Sequence, residues 1–244
     1  MPKFSIKTNL SDKIANILRQ EILENKIRQG VHFNENELAE RFGVSRGPVR
    51  EALRTLETEG LVKIPSNGRA ICQGFSLHDL SDYYGIRYFI ESESIKRIFE
   101  EPDSPSYRKW ISDLEELLKQ ARVCLGEDSQ ERFMQLDSQF HESFLTRANV
   151  KVYLFVWQIL DNTNRCIMKV NRKHIVNKKL DDPGSTCAFH EEILLGLKNR
   201  DLDYTLASLQ EHIERGAAAY AELIDTINSN NSENTGNDDG ISAV

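Results

Sequence analysis

The sequence contains little that would place the protein outside the cell or in a membrane. Its 244 residues include only four cysteines, none of them in a Cys-x-x-Cys pair. This spacing argues against a disulfide-stapled secreted domain and predicts reduced, buried thiols. Neither a leader-peptide pattern nor an apolar run of about 18 residues is present, so we expect a cytoplasmic protein without a membrane helix.

A strong positive charge is also lacking, since the net charge is −7. A protein that coats nucleic acid with its whole surface is therefore not expected. The charge is nevertheless uneven: residues 1–74 hold 12 Lys and Arg against 9 Asp and Glu, and the remainder holds 19 against 29. A mildly basic head on an acidic body is typical of a protein that presents one small face to DNA.

Two short helices joined by a tight turn are predicted within residues 34–62. Gly43 permits the turn, and Ser45 is suited to cap the second helix. The back of that helix is apolar, with Val49, Ala52, Leu53 and Leu56. Its front carries Arg46, Arg50 and Arg54 at intervals of four residues. Such a helix can read the major groove, because an arginine fork pairs with guanine edges or phosphates. An ordinary helical hairpin with a solvated arginine face is the alternative.

A β-hairpin is predicted to follow these helices. Leu61–Ile64 and Ala70–Cys72 are short β-like runs, and the Asn67-Gly68 pair between them is a strong hairpin-turn signal. A wing with Asn67, Gly68 and Arg69 at its tip would reach the DNA backbone or minor groove. A first helix with an apolar stripe precedes the motif, formed by Leu10, Ile14, Ile17, Leu18 and Ile22. Residues 8–74 are thus predicted to form a winged helix-turn-helix.

The segment NELAERFGVSRGPVREALRTLETEGLV resembles the N-terminal domain of the GntR family of bacterial transcription regulators. The resemblance implies that Arg46 and Arg50 contact an operator and that the wing near Gly68 touches the minor groove. Further DNA contacts are expected from the same surface, at Asn36, Ser45, Gly47, Arg54, Asn67 and Arg69. Asn36 stands where many family members carry a DNA-contacting arginine, so the half-site preference is expected to differ.

The rest of the chain has helical periodicity. Six antiparallel helices are predicted, near residues 76–99, 104–125, 128–147, 150–176, 184–199 and 201–227. Residues 228–244 are polar, contain nothing substantial to bury and are predicted to be disordered. The predicted fold class is mainly α, with a DNA-binding domain at 1–74, an all-α bundle at 75–227 and a tail at 228–244.

Four polar residues are predicted to face the interior of this bundle. Asp137 and His141 lie one turn apart within an apolar stripe, and His190 and His212 point inward from two other helices. A single inward histidine is usually a hydrogen-bonded core residue. One Asp and three His together favour a divalent transition metal. The residues by themselves leave both interpretations open.

The bundle resembles the FCD effector domain of the FadR branch of GntR regulators, and its six helices resemble the VanR-like subgroup. The resemblance implies that Asp137, His141, His190 and His212 bind a metal. Zinc is the first choice, with nickel, manganese or iron as alternatives. It also implies that the metal binds the carboxylate of a small effector or shapes its pocket.

Arg87 is the predicted clamp for that carboxylate. An ion pair with Glu91, four residues away, is the alternative role for Arg87. Asn164 and Arg165 are further candidates for the effector pocket. A basic run near the end of the fourth bundle helix is expected to be a solvated face, with Lys169, Arg172, Lys173, Lys178 and Lys179.

The predicted function is a ligand-responsive transcription regulator, a repressor, that binds a near-palindromic double-stranded DNA operator as a homodimer. Its effector would be a small carboxylate, and no membrane partner is expected. A metal-dependent enzyme acting on a small carboxylate is one alternative. A DNA-binding protein with a purely structural metal is another.

Overall fold

The computed structural model describes residues 10–66, 68–125, 129–178 and 183–235. Its elements in chain order are α1 (Leu10–Leu23), α2 (Glu35–Phe42), α3 (Arg46–Thr58), β1 (Val62–Lys63), β2 (Ile71–Cys72), α4 (Leu77–Glu100), α5 (Pro105–Val123), α6 (Gln130–Ala148), α7 (Lys151–Lys178), α8 (Pro183–Asn199) and α9 (Leu202–Thr235). The predicted fold class is confirmed, with a winged helix-turn-helix followed by a helical bundle. The chain divides into two compact units, one of Met1–Ser76 with Ile224–Val244 and one of Leu77–Leu223.

The core of the winged domain lies between α1, α3 and the wing. Ile14, Leu18 and Ile22 of α1 are buried there as predicted, but Leu10 and Ile17 are exposed. Ala15 and Arg19 lie on the buried side in their place. The buried face of α1 is therefore rotated around the helix axis from the predicted stripe, because the stripe was centred on the larger apolar residues.

Arg19 is buried because it pairs with Glu59 at the end of α3. Its Nε and Nη2 donate to the two carboxylate oxygens over 2.7 and 2.6 Å, and both side chains are almost completely buried. A bidentate pair of this kind fixes direction as well as distance. It holds the C-terminal end of α3 against α1 and so sets the orientation of α3.

The turn between α2 and α3 has the predicted form. Gly43 ends α2 in the left-handed conformation, with φ at 64°, which glycine adopts without strain. Ser45 occupies the N-cap position of α3, but its side chain makes no capping hydrogen bond. The predicted capping bond is therefore absent, although the position is correct.

The wing is a two-stranded antiparallel sheet in which Val62 faces Cys72 and Lys63 faces Ile71. A third segment also supports β2, since the backbone of residues 30–33 pairs with residues 70–72. The Glu57 carboxylate accepts a further bond from the Ile64 amide over 2.8 Å. The base of the wing is thus tied directly to α3.

The six bundle helices agree closely with the predicted ranges. The largest difference is in α9, which continues to Thr235, whereas the prediction ended the helix at 227. Adding a residue to an existing helix costs little, so a polar sequence can extend one that is already formed. The predicted disorder is therefore not seen for residues 228–235, and residues 236–244 lie outside the described part of the chain.

Close packing fixes the two helices that follow α7. A Cβ added at Gly196 of α8 would lie 2.4 Å from Thr205 Oγ1 of α9, so only glycine permits this approach. The Tyr107 hydroxyl of α5 donates to the Leu197 carbonyl over 2.7 Å. These contacts determine how α8 and α9 face α6 in the bundle interior.

Candidate DNA interface and metal centre

Helix α3 has one buried side and one arginine side. Val49, Ala52, Leu53 and Leu56 are buried in the domain core. Arg46, Arg50 and Arg54 are all exposed along the opposite side. The structure thus brings the three predicted arginines to one accessible face.

The arginines of this face differ in their partners. Arg50 Nε donates to the Glu35 carboxylate of α2 over 2.7 Å, and Arg54 lies 3.2 Å from Glu51. No ion pair of Arg46 is found within the described ranges. Exposed pairs contribute at most about 1 kcal/mol, so a phosphate or guanine can displace Glu35 from Arg50 at small cost.

The remaining predicted DNA contacts surround this face or lie on the wing. Ser45 and Gly47 are exposed at the start of α3, and Asn36 is exposed in the first turn of α2. Gly68 has a φ of 80° and donates its amide to the Pro65 carbonyl over 2.8 Å. Arg69 is exposed beside it, whereas Asn67 lies outside the described residues.

In the bundle, three histidine rings converge on one point. The Nε2 atoms of His141, His190 and His212 are 3.1, 3.2 and 3.3 Å apart. Asp137 Oδ1 lies 3.3 Å from His190 Nε2. Four donor atoms from α6, α8 and α9 are therefore within 4.8 Å of one another. The structure brings together all four predicted metal ligands.

Hydrogen bonds among the three nitrogens alone cannot satisfy this triangle. A neutral Nε2 either donates one proton or offers one lone pair, so three mutually adjacent Nε2 atoms cannot all pair with each other. His141 Nδ1 lies 2.6 Å from Glu91 Oε2, and with this carboxylate ionised beside Arg87, Nδ1 carries the proton and Nε2 holds the lone pair. A shared cation would satisfy all three nitrogens.

The spacing also fits a metal ion. Two nitrogens bound at 2.0–2.1 Å to the same zinc ion stand about 2.9–3.4 Å apart at right or tetrahedral angles. The observed separations of 3.1 to 3.3 Å fall within this range. Burial lowers the pKa of all three histidines well below the usual value, which keeps the imidazoles neutral and able to bind a cation.

Asp137 supplies the oxygen of the donor set. Burial raises the pKa of its carboxyl to about 7, although the nearby Arg87 opposes this shift. Within the described part of the chain, its Oδ1 has no hydrogen-bond partner, since the His190 Nε2 atom at 3.3 Å is not placed to form one. A buried carboxylate oxygen without a partner is costly. A cation at the histidine triangle would provide that partner.

Glu91 connects the histidine cluster with Arg87. Its Oε1 accepts from Arg87 Nε over 2.7 Å, while its Oε2 accepts from His141. Sequence reasoning considered Glu91 only as a partner of Arg87, because nothing in the chain order brings α4 next to α6. A carboxylate behind a metal-binding histidine fixes its tautomer and ring orientation. Glu91 is therefore a candidate positioning residue that the sequence did not reveal.

Arg87 forms the ion pair that was considered for it, and it also lines a cavity. Besides the ion pair with Glu91, its Nη1 donates to Asn164 Oδ1 over 2.9 Å, and it lies over the Trp157 ring. Its Nη2 is buried and has no hydrogen-bond partner among the described residues. Arg87 and Asn164 also line a cavity of about 100 Å³ that is bordered by Asp137 and His212.

The cavity has further polar residues in its wall. Asn171 and Arg172 of α7 line it, although the sequence indicated a solvated face at Arg172. Arg165 does not line it, since that guanidinium lies near Asp161 and Asn162 on the outer side of α7. The structure thus brings Arg87 and Asn164 to the cavity and leaves Arg165 outside.

No helix in the described part of the chain is long and apolar enough to cross a membrane.

Two family models match the chain. The model "Bacterial regulatory proteins, gntR family" matches residues 10–70, which span α1 to the wing. The model "FCD domain" matches residues 82–215, which include the histidine cluster and Arg87. The matches cover the two parts in which the candidate DNA interface and the candidate metal centre lie.

Characterised proteins of similar length resemble the chain. The gluconate operon transcriptional repressor of Bacillus licheniformis is 25% identical over 212 residues, which are 87% of this chain and 85% of that protein. The HTH-type transcriptional repressor RspR of Escherichia coli is 26% identical over 206 residues, or 84% and 86% of the two chains.

A solved structure, E. coli McbR/YncC, has the same fold. It matches with a TM-score of 0.61 at 18% identity, over 87% of this chain and 97% of that chain. The matching families and relatives are transcriptional regulators and not enzymes. The chain belongs to the gntR family of bacterial regulatory proteins and is a DNA-binding regulator that carries an FCD domain.

Proposed function

We propose that this regulator is a ligand-responsive repressor whose operator binding is controlled by a small carboxylate bound at a metal in the bundle. The observation that carries the proposal is the Nε2 triangle with Asp137, which borders the same cavity as Arg87. Metal and guanidinium are complementary to a carboxylate, so a single anion could contact both. The names of the two relatives, both repressors, support the sign of regulation.

Asp137, His141, His190 and His212 would hold the metal. A bound divalent ion would supply a Lewis-acidic site with positions left open for an acid ligand. Zinc suits three imidazoles and one carboxylate, and nickel, manganese or iron could occupy the same set. Glu91 would orient His141, and Arg87 would bind the ligand's acid group.

The signal would pass through α4. This helix carries both Arg87 and Glu91, and it directly follows the linker residues 73–76 in the chain. An effector that changes the packing of α4 would alter how the two winged domains of a dimer are placed on the operator. Coupling free energies of this kind are typically about 1–3 kcal/mol, or a change of about 5- to 150-fold in DNA affinity.

The operator would be read by two copies of α3. Arg46 and Arg50 would contact bases. Arg54 and the exposed residues around Ser45 and Gly68 would contact the DNA backbone. One winged helix makes few base contacts, so a near-palindromic site and a dimer would supply affinity and specificity.

A surface on α4 and α7 supports the dimer. Ile86 and Phe89 of α4 and Val152 and Phe155 of α7 are exposed, and the Phe89 ring contacts Tyr153. The residues on α7 recur at helical spacing, with half-buried Val156 and Ile159 continuing the same stripe. We call these residues the α4–α7 apolar face. A second copy of the chain would bury it.

The remaining assignments are also proposals. Domain limits of 1–74, 75–227 and 228–244, a cytoplasmic location and membership of the VanR-like subgroup are proposed, although α9 continues to Thr235 and so passes the limit at 227. They require independent tests, such as limited proteolysis for the domain limits.

The proposed function can be tested by measuring melting temperature and operator retardation with and without chelator, against small carboxylates. We expect one acid class to raise the melting temperature of the metal-loaded protein only, and to change operator affinity. If chelator destabilises the protein but no acid has an effect, the metal is structural. Turnover of an acid by the metal-loaded protein, abolished by His190→Ala, would indicate an enzyme.

A further inference from the structure

Arg172 of α7 is a buried cation in an unusual position. Only 8% of the residue is exposed, and its guanidinium lies over the Phe133 ring at 4.8 Å from the ring centroid. Nη2 donates to the Leu125 carbonyl over 2.8 Å. Nη1 is buried without a hydrogen-bond partner in the ranges that the structure describes.

No carboxylate of the described residues lies within ion-pair distance of Arg172. This distinguishes it from Arg19 and Arg87, the other almost fully buried arginines, which pair with Glu59 and Glu91. A buried charge is costly unless it is paired. Burial does lower the pKa of Arg172, but a guanidinium stays protonated near neutral pH. An anion other than the described protein groups would therefore stabilise the buried Arg172 charge.

The cavity is where such an anion would be found. Arg172 lines the same cavity as Arg87, Asp137 and His212. Arg87 contacts Asn164, and Arg172 is eight residues further along α7, or about 12 Å along the helix axis. Each guanidinium has one terminal nitrogen without a hydrogen-bond partner within the described structure. Two separate guanidiniums therefore line the cavity, and only Arg87 is beside the predicted metal ligands.

We propose that the effector is a diacid, with one carboxylate at Arg87 and the metal and a second carboxylate at Arg172 Nη1. This inference rests on the proposed function, because it assumes that the cavity binds an acid effector. A monoacid would satisfy Arg87 and leave Arg172 without a counter-ion among the described residues. The cavity volume of about 100 Å³ is below the roughly 150 Å³ of a cavity that admits benzene, so the diacid is compact.

The test compares each linear diacid with its own half-amide. Malonate, succinate, glutarate and adipate, and the corresponding monoamides, are titrated into metal-loaded, full-length protein by calorimetry. The two ligands of a pair have nearly the same shape and differ by one negative charge. We expect one diacid to bind the wild-type protein about ten- to hundredfold more tightly than its half-amide, as for a lost hydrogen bond between charged groups.

Arg172→Gln should remove that difference. The diacid should lose about ten- to hundredfold in affinity, while its half-amide should change little, so the ratio falls towards one. Arg172→Lys should keep part of the ratio between diacid and half-amide affinity, because lysine retains the positive charge but lacks the planar guanidinium. It also serves as the test variant if circular dichroism shows that Arg172→Gln does not fold. Arg165→Gln, on the same helix but outside the cavity, should leave the ratio unchanged.

The outcomes separate this inference from the proposed function. Equal binding of diacid and half-amide to the wild type, or a ratio that survives Arg172→Gln and is also unchanged in Arg172→Lys, would overturn the diacid assignment. Binding of a monoacid such as gluconate, without any diacid, would overturn it while supporting an acid effector. If no acid of any kind binds, the proposed carboxylate effector fails as well.

Discussion

Glu91 is a residue whose two carboxylate oxygens have different partners. One accepts from Arg87 over 2.7 Å, and the other accepts from His141 Nδ1 over 2.6 Å. The second contact leaves the lone pair of His141 on Nε2, towards the other two rings. In the proposed function, Glu91 would therefore link the effector at Arg87 to the metal through a single side chain and act as a positioning residue.

We predict that Glu91→Gln lowers zinc affinity by about 10- to 100-fold, as is usual when a partner of a metal-binding histidine is lost. Competition with a chromophoric chelator would measure the affinity. The matched control is Glu93→Gln on the same helix, where the carboxylate pairs with the exposed Lys96. Unchanged zinc affinity in Glu91→Gln would exclude an orienting role.

A substitution at Asp137 can distinguish a metal site from a core of hydrogen-bonded histidines. In metal-free protein its Oδ1 is buried without a hydrogen-bond partner in the described chain, so Asp137→Ala should cost little stability there. With zinc present, the wild type should melt at a higher temperature, and Asp137→Ala should lose most of that increase together with bound metal. Calorimetry and elemental analysis would measure both. Stoichiometric metal in the variant would place the site elsewhere.

At the scale of elements, α3 combines a fixed back with an accessible front. We predict that Arg46→Ala or Arg50→Ala abolishes operator retardation but leaves helix content and metal binding unchanged, because both side chains are exposed. Loss of the exposed Arg50–Glu35 pair should cost at most about 1 kcal/mol of stability. Arg108→Ala on α5 is the control. Normal retardation by both α3 variants would contradict the assignment of this face.

The orientation of α3 depends on the Arg19–Glu59 pair. Glu59→Gln leaves the Arg19 charge buried without its counter-ion, so we predict a loss of about 3–5 kcal/mol in the free energy of unfolding. Chemical denaturation of the full chain, followed by the transition of the winged domain, would measure the loss. Glu51→Gln on the same helix, which pairs with exposed Arg54, should change stability by less than about 1 kcal/mol.

Sequence reasoning succeeded where the signal is local. The limits of α4 to α8 were predicted within a few residues, because apolar spacing and Pro, Gly and Asn breaks are read from neighbouring positions. The four candidate metal ligands converge as predicted, because each lies on the apolar side of its own helix. Local signals of this kind do not depend on which helices meet.

Contacts between distant segments were not predictable in the same way. Arg19 and Glu59 are 40 residues apart, and nothing in the local sequence of either indicates the other. Arg172 stands among lysines, so its sequence neighbours indicated solvent, whereas the fold places it over Phe133 in the cavity wall. Buried charges reveal their role only when the partner or its absence is known, and that requires the assembled bundle.

At the scale of the whole molecule, the acidic remainder of the chain limits where DNA can bind. Residues 75–244 carry 19 basic against 29 acidic residues, which repels DNA from most of the bundle. Residues 1–74, which include the winged domain, are only mildly basic, with 12 Lys and Arg against 9 Asp and Glu. We therefore expect non-specific attraction to be weak, and affinity for the operator to depend on joining two winged domains. This makes the oligomeric state part of the function.

The α4–α7 apolar face is our proposed dimer interface. Phe89 and Phe155 are 56% and 63% exposed. Their rings leave a large apolar area in contact with water unless another surface covers them. We predict that Phe155→Asp yields a monomer of 28.0 kDa in light scattering, where the wild type has about twice this mass. Val123→Asp, at an exposed apolar position on α5, should leave the dimer intact.

The DNA readout then tests whether dimerisation serves operator binding. In a dimer, binding of the first winged domain holds the second near its half-site at a high effective concentration. The Phe155→Asp monomer should therefore bind a full operator about 10²- to 10⁴-fold more weakly than the wild type. It should bind an isolated half-site as the wild type does, because α3 is unchanged. A monomer that still binds the full operator normally would show that two heads are not required. A Phe155→Asp protein that remains dimeric would show instead that the two copies meet through another surface.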